Sequence, residues 1–205
     1  MKIICIGMNY TSHNKEMCHT FKEEEPVVFM KPDSALLKDG KPFYIPDFSS
    51  DVQCEMEIVV RINRLGKNIS QRFAHRYYDE VTLGIDITAR DLQQKLRADG
   101  LPWEMSKAFD NSAVIGNFVS LEELGGDINN LSFFLKINKE KVQEGNTKDQ
   151  LFKVDEIIAY ISRFFTLKIG DLIFTGTPAG VGKVNINDHL QGYIGEEKLL
   201  DFQIK

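Results

Sequence analysis

Residues 53–62, QCEMEIVVRI, constrain this chain more than any other stretch. The run is β-branched and apolar enough to be read as a strand, and in a strand successive side chains alternate between faces. Met56, Ile58, Val60 and Ile62 then share an apolar face, while Glu55 and Glu57 share the other with Val59. Two carboxylates about 6 Å apart repel by about 3 kcal/mol at an effective dielectric of about 20. Taking each out of water costs several kcal/mol more. A fold that shelters this pair must offset that cost with bulk water, with Arg61 or Arg64, or with a bound cation.

The remaining 195 or so positions offer little to support a fibrous, basic or membrane class. A length of 205 residues is enough for one sizeable core, so a single domain over 1–205 is expected. The net charge of −5, with no basic stripe, argues against nucleic acid as a partner. MKIICIG is too short for a signal-peptide core, and no apolar run reaches the length of a membrane span, so no membrane association is expected. Cys5, Cys18 and Cys54 are odd in number and lack CxxC spacing. They read as reduced thiols acting as small buried hydrophobes in a cytoplasmic protein.

Short strands are expected at 2–6, 26–32, 54–62, 81–88 and 171–176, with an extended piece at 41–46 and closing strands in HLQGYIG and KLLDFQIK. LSFFLKIN turns at NKE into KVQEG as a hairpin. Helices are expected in TSHNKEMCHTF, in SQRFAHRYYD with Ser70 as N-cap, in ARDLQQKLRAD ended by Gly100, and in VDEIIAYISRFF. The last puts Ile157, Ile158, Ile161, Phe164 and Phe165 on one face. Strands that do not alternate regularly with helices indicate an α+β fold with a β-rich core.

Asp86 ends the apolar run VTLGIDIT, where a lone aspartate is unexpected. If two strands bring it beside Glu55 and Glu57, three hard oxygen donors without histidine or thiolate companions suit Mg²⁺ or Mn²⁺. The competing reading leaves both glutamates in water on an edge strand and makes Asp86 a helix cap near Ala89. His13 and Glu16, three residues apart on a helical turn, can form a pair in which the carboxylate fixes the imidazole tautomer and raises its basicity. An ordinary surface pair has the same spacing. His19, His75 and His189 lack such a neighbour in sequence and are read as surface or core residues. FTGTPAGVG brings Gly176, Gly180 and Gly182 into a turn whose amides can approach an anion, without Walker or Rossmann spacing. A tight turn between strands would look the same. Arg90, Gln93 and Lys107 follow Asp86 closely and could bind an anionic substrate or stand on the surface.

The ordered segments CIGMNYTSHNKE, PVVFMKPDSAL, CEMEIVV, GIDITARDLQ, GLPWEMSKAFD and LIFTGTPAGVG resemble the fumarylacetoacetate hydrolase family over nearly the whole chain. The length is similar to its short acylpyruvase branch. The resemblance implies a β-rich mixed-sheet roll, a homodimer, and Glu55, Glu57 and Asp86 as ligands of Mg²⁺ or Mn²⁺. It implies that His13 and Glu16 position and deprotonate water, that Gln93 and Lys107 stabilise developing negative charge, and that Arg90, Thr177 and Gly176 lie near the substrate carboxylate. Met8 stands where related short members often carry arginine or another residue, and Cys54 where a histidine often precedes the first metal glutamate.

The implied reaction is hydrolysis of the C–C bond of an acylpyruvate, a 2-oxo acid with a second carbonyl at C4, to pyruvate and a carboxylic acid. Decarboxylation of oxaloacetate needs the same electron sink and is expected as a second activity. Two alternatives stay open: a tautomerase or isomerase of oxo-acid enols, and a non-catalytic protein that binds oxo acids. Cys18–Glu25, polar and adjacent to the dyad, is expected to form a mobile lid.

Overall fold

The run of opposed carboxylates lies in a strand that begins two residues before the expected start, Val52–Ile62, and is buried on both faces over most of its length. In this computed structural model, residues 1–17 and 24–205 are described. Cys18–Glu23, most of the expected lid, lie outside the described residues.

Along the chain the elements are β1 (Ile3–Gly7), α1 (Thr11–Glu16), β2 (Val27–Lys31), β3 (Leu36–Leu37), β4 (Val52–Ile62) and α2 (Gln71–Ala74). There follow β5 (Tyr78–Ala89), α3 (Arg90–Ala98), α4 (Glu104–Lys107), β6 (Ala113–Ile115), β7 (Val119–Ser120), β8 (Ser132–Ile137) and β9 (Glu140–Asn146). The chain closes with α5 (Val154–Ile161), β10 (Leu172–Phe174), β11 (Gly182–Lys183), β12 (His189–Ile194) and β13 (Glu197–Gln203).

A mixed sheet runs in the order β2-β1-β10-β4-β5-β6-β3, with β11 also on β4 and β7 also on β5. The pairs β1–β10 and β3–β6 are parallel. A second, antiparallel sheet has the order β13-β12-β8-β9. The architecture is the expected α+β, strand-dominated one.

Alternation along β4 and β5 sorts two apolar clusters. Met56, Ile58 and Val60, with Leu83, Ile85 and Ile87, pack into a large core shared with Phe133, Leu135 and Leu190 of the second sheet and Ile157, Ile158 and Ile161 of α5. Each fully buried aliphatic side chain contributes about 2 kcal/mol. The opposite face holds a smaller cluster that includes Ile3, Cys5, Val59 and Phe174. The acidic residues share this second face, so an apolar floor adjoins them.

Some local expectations shift. Only Gln71–Ala74 of the expected 70–79 helix is helical, and β5 starts at Tyr78 because that ring is needed in the core. Ser70 occupies the N-cap position without a side-chain cap bond. The helix begun at Val154 ends at Ile161, leaving Phe164 exposed rather than on its apolar face. Arg90–Ala98 is followed by Gly100 at φ +66°, as expected of a helix stop. His189 does have a carboxylate neighbour, supplied across the strand pair: its Nε2 lies 2.5 Å from Asp201 Oδ1.

Candidate active site

Antiparallel register between β4 and β5 sets Glu55 directly opposite Asp86 and Glu57 opposite Gly84. Directly opposed residues point to the same side of a sheet, so the three carboxylates converge. One oxygen from each lies within 4.8 Å of the others, and all three residues are buried. Asp86 lies inside β5 and does not cap the following helix, and β4 is an interior strand rather than a wet edge.

The cations beside this cluster are not Arg61 and Arg64. Arg61 pairs with Glu80 at the surface, and Arg64 lies over Tyr77. Lys107 Nζ instead donates to Glu55 Oε2 at 2.9 Å, Asp86 Oδ2 at 2.8 Å and Thr88 Oγ1 at 2.6 Å. Arg90 pairs with Glu55 Oε1 while its Nε donates to Gln53 (2.8 Å) and its Nη1 to Gln93 (2.5 Å). Lys31, wholly buried at the end of β2, lies 2.7 Å from Asp86 Oδ1. Arg90, Gln93 and Lys107 are therefore interior groups, not surface charges. Helix α3 brings Arg90 and Gln93, i and i+3, onto its buried face.

His13 and Glu16 sit on α1, with Nδ1 3.5 Å from Glu16 Oε2. The imidazole is buried and faces the pocket, whereas the glutamate lies toward solvent behind it. The glycine-rich segment after β10 meets both acidic groups. Gly176 N–H donates to Glu57 Oε2 at 2.6 Å, and Gly180 N–H reaches the Glu16 carboxylate at 3.1 and 3.2 Å. The amides of this loop thus bind the protein's own carboxylates. Thr177 lines the pocket, but its hydroxyl donates to the Met56 carbonyl.

Electrostatics separate the acids. Burial pushes Glu57 well above the ordinary carboxylate range; Asp86 and Glu55 push the same way, against the Gly176 N–H. Burial acts on Glu55 as well, but Lys107 and then Arg90 overcome it and hold that group below the usual range. Burial disfavours the Lys107 ammonium, yet Asp86 and Glu55 raise it. Burial, offset in part by Glu55, lowers His13 below 6.5, so its ring is neutral at pH 7.

A divalent ion fits these residues. Asp86 Oδ1 is buried without a hydrogen bond of good geometry, despite its ion contact with Lys31. Among the described residues no cation bonds Glu57, and burial drives it toward protonation. Three converging hard oxygens are the donor set of Mg²⁺ or Mn²⁺, and which of the two is bound is not fixed by them.

Of the residues singled out in the sequence, His13, Glu55, Glu57, Asp86, Arg90, Gln93, Lys107 and Thr177 line one pocket. Glu16 and Gly176 stand behind that lining. Sequence reading missed the lining residues Phe29, Trp103 and Arg97, and Lys31, which reaches Asp86 from beneath the pocket. Alternation could have signalled Lys31: it shares a strand face with Phe29, and that face looks toward the site. Thr88, two residues from Asp86, was detectable by the same argument.

A buried carboxylate triad on a mixed sheet, beside a histidine–glutamate pair and a lysine, is the arrangement of an enzyme site whose acidic groups could hold a divalent ion. Residues 2–201 match the fumarylacetoacetate (FAA) hydrolase C-terminal family, and the chain belongs to it. It is 40% identical over 189 residues to the oxaloacetate tautomerase YcgM of Escherichia coli, covering 92% of this chain and 86% of that protein. It is 38% identical over 203 residues to the mitochondrial oxaloacetate tautomerase FAHD1 of Mus musculus, covering 99% and 91%. Among solved structures, a fumarylacetoacetate hydrolase family protein from Yersinia pestis superposes with a TM-score of 0.94 at 38% identity, over 100% of this chain and 93% of that one. The fumarylpyruvate hydrolase of Pseudomonas aeruginosa, crystallised with Mn²⁺ and pyruvate, gives 0.91 at 33% identity over 100% and 89%.

Proposed function

We propose that residues 1–205 form a single catalytic unit that enolises small 2-oxo acids bearing a carboxylate or a second carbonyl at C4. The observation that carries this reading is the convergence of Glu55, Glu57 and Asp86 in the same pocket as a buried, neutral His13. Glu55, Glu57 and Asp86 would hold Mg²⁺ or Mn²⁺, which when bound supplies a Lewis acid for the 2-oxo oxygen.

The protein's own groups do the rest. His13 accepts a proton, and Glu16 holds its ring and stabilises the imidazolium. Lys107 and Gln93 donate to the oxygen on which negative charge grows. Arg90 is bonded to Glu55, Gln53 and Gln93, so it orients these groups and meets a substrate carboxylate only by sharing a donor. Charge supports a dianion such as oxaloacetate. Four carboxylates, Glu16, Glu55, Glu57 and Asp86, stand with four cations, Lys31, Arg90, Arg97 and Lys107, so a divalent ion leaves the site at +2.

Three outcomes share one enolate, formed when the electrons of a broken C3–H or C3–C4 bond delocalise onto the 2-oxo oxygen. If His13 takes the C3 proton, the product is the enol, the reaction for which YcgM and FAHD1 are named. If His13 activates water against the C4 carbonyl, an acylpyruvate is hydrolysed, which the fumarylpyruvate hydrolase neighbour favours. Decarboxylation of oxaloacetate needs only the electron sink. The test is a panel of oxaloacetate, acetylpyruvate and fumarylpyruvate with Mg²⁺, Mn²⁺ or excess chelator, following enol absorbance and pyruvate release. Turnover that chelator does not touch, or no turnover at all, rejects the proposal. A homodimer is part of the same reading and is checked by light scattering.

A further inference from the structure

Over residues 55–58, which include Glu55 and Glu57, one edge of β4 lacks a partner strand. β10 pairs with β4 only as far as Phe174 opposite Val59, and β11 resumes at Gly182 opposite Cys54. Seven loop residues, 175–181, therefore span four of β4, 55–58. The ladder runs on one residue further, with Thr175 N–H donating to the Ile58 carbonyl at 3.1 Å; beyond it the surplus lets the loop leave the sheet, and the N–H and carbonyl of Met56 are met by side chains instead. A buried main-chain polar group without a partner costs about 1–3 kcal/mol.

Side chains supplement the strand at Ile58 and replace it at Met56. Thr175 Oγ1 donates to the Ile58 carbonyl at 2.8 Å and accepts from Gln150 Nε2 at 2.9 Å. Thr177 Oγ1 donates to the Met56 carbonyl at 2.8 Å and accepts from Gln143 Nε2 at 2.7 Å. Gln143 does more than its counterpart. Its Oε1 accepts from Met56 N–H at 3.1 Å, and its Nε2 also donates to the Pro178 carbonyl at 2.8 Å. It is 2% exposed and projects from β9 of the other sheet. Backbone contact reinforces the junction: a Cβ on Gly180 would lie 2.9 Å from the Val142 carbonyl, and one on Gly145 would lie 2.8 Å from Pro178 Cγ.

We propose that Gln143 is a positioning residue that locks the glycine-rich loop to β4, so that the Gly176 and Gly180 amides meet Glu57 and Glu16. One amide side chain thereby sets the separation between the metal carboxylates and the proton-transfer dyad. The roles given to Glu57 and Glu16 rest on the function proposed above; the mechanical link does not.

The test uses the full chain and two readouts. Gln143→Met keeps the side-chain volume and removes all three hydrogen bonds. In metal-free protein, amide exchange of Gly176 and Gly180 should speed up by about tenfold or more while the β8–β9 amides stay protected. Mn²⁺ affinity should fall by about 10–100-fold, the range found for partners that orient metal ligands. Thr147→Val serves as the structural control: Thr147 is buried next to the same hairpin and its hydroxyl accepts from Leu131 N–H, remote from the loop. It should lower stability without moving either readout. Thr177→Val should reproduce the Gln143→Met effects, and the double variant should exceed neither single one. Unchanged glycine exchange in Gln143→Met, or losses that multiply in the double variant, overturns the proposal. If wild-type protein binds no Mn²⁺, the functional reading fails and the exchange data still decide the link. If Gln143→Met does not fold, the exchange and Mn²⁺ readouts of Thr177→Val decide it.

Discussion

Glu57 is the residue with the most to gain from a bound cation. Glu55 has Lys107 and Arg90, and Asp86 has Lys31 and Lys107, whereas Glu57 has an amide hydrogen from Gly176. Replacing it with glutamine keeps an acceptor for that amide and removes a buried like charge. Glu57→Gln is therefore expected to match or exceed wild-type thermal stability without metal, while Mn²⁺ affinity falls by at least about 100-fold. A calorimetric titration and a melting curve check both halves. The pH dependence follows from the raised Glu57 value. A carboxyl raised in the folded state contributes stability in full below its ordinary value of 4.5, and loses it as pH rises through the folded value. The melting temperature of metal-free wild type should thus fall relative to Glu57→Gln as pH is raised above 4.5. Mn²⁺ binding must expel the same proton, so its affinity should climb about tenfold per pH unit over that range. A Kd independent of pH would contradict this account.

His13 carries the other residue-scale prediction. Burial keeps its ring neutral, so it is ready to accept a proton without prior deprotonation. His13→Ala should reduce acylpyruvate hydrolysis by about 10²–10⁴-fold, the usual weight of a general base. It should reduce oxaloacetate decarboxylation much less, since that reaction needs no activated water. Equal losses in steady-state assays of the two would assign the dyad another task.

At the level of elements, the loop after β10 is held from several sides. Gly176 has φ +97°, and a Cβ there would lie 2.7 Å from Asn9 Cβ and 3.2 Å from the Ile6 carbonyl. Asn9 cannot easily give way, because it is wholly buried and bonded to Phe152 and to the Thr175 carbonyl. Gly176→Ala is expected to cost about 3 kcal/mol, combining left-handed backbone strain with overpacking. Urea unfolding measures it; a loss below 1 kcal/mol or so would mean the loop relaxes freely. The elements were unevenly legible. The hairpin LSFFLKIN–KVQEG and the helix closed by Gly100 declare themselves, because turn chemistry and periodicity act within a few residues. The stretch SQRFAHRYYD does not: its local pattern suits a helix throughout, and the demand of the core for Tyr78 cuts the helix at Ala74.

Across the whole molecule, metal binding should read out as folding stability. The carboxylates come from two strands and converge only in the folded state, so an ion that binds them stabilises that state by mass action. Mn²⁺ at about 100 times its Kd should add about 2.7 kcal/mol. For a chain of this length that is a rise in melting temperature of about 5–10 °C, removed by excess chelator. No shift at any Mn²⁺ concentration would argue against the acidic triad as a metal site.

The alternation of residues 53–62 by itself determined that two carboxylates share a strand face and need compensation. That follows from the two-residue period of an extended chain, which no tertiary contact alters. The tertiary structure alone decided what stands beside them. Arg61 and Arg64, near in sequence, turn outward, while Lys31, Arg90 and Lys107 reach the acids from β2, α3 and α4. Strand register and sheet order bring those cations to their acids across 21 residues of chain (Lys107–Asp86) to 55 (Lys31–Asp86), a distance over which local pattern carries no information. Gln143 belongs to the same class: an exposed-looking hairpin residue in sequence, it becomes buried because a second sheet folds against the open edge of the first.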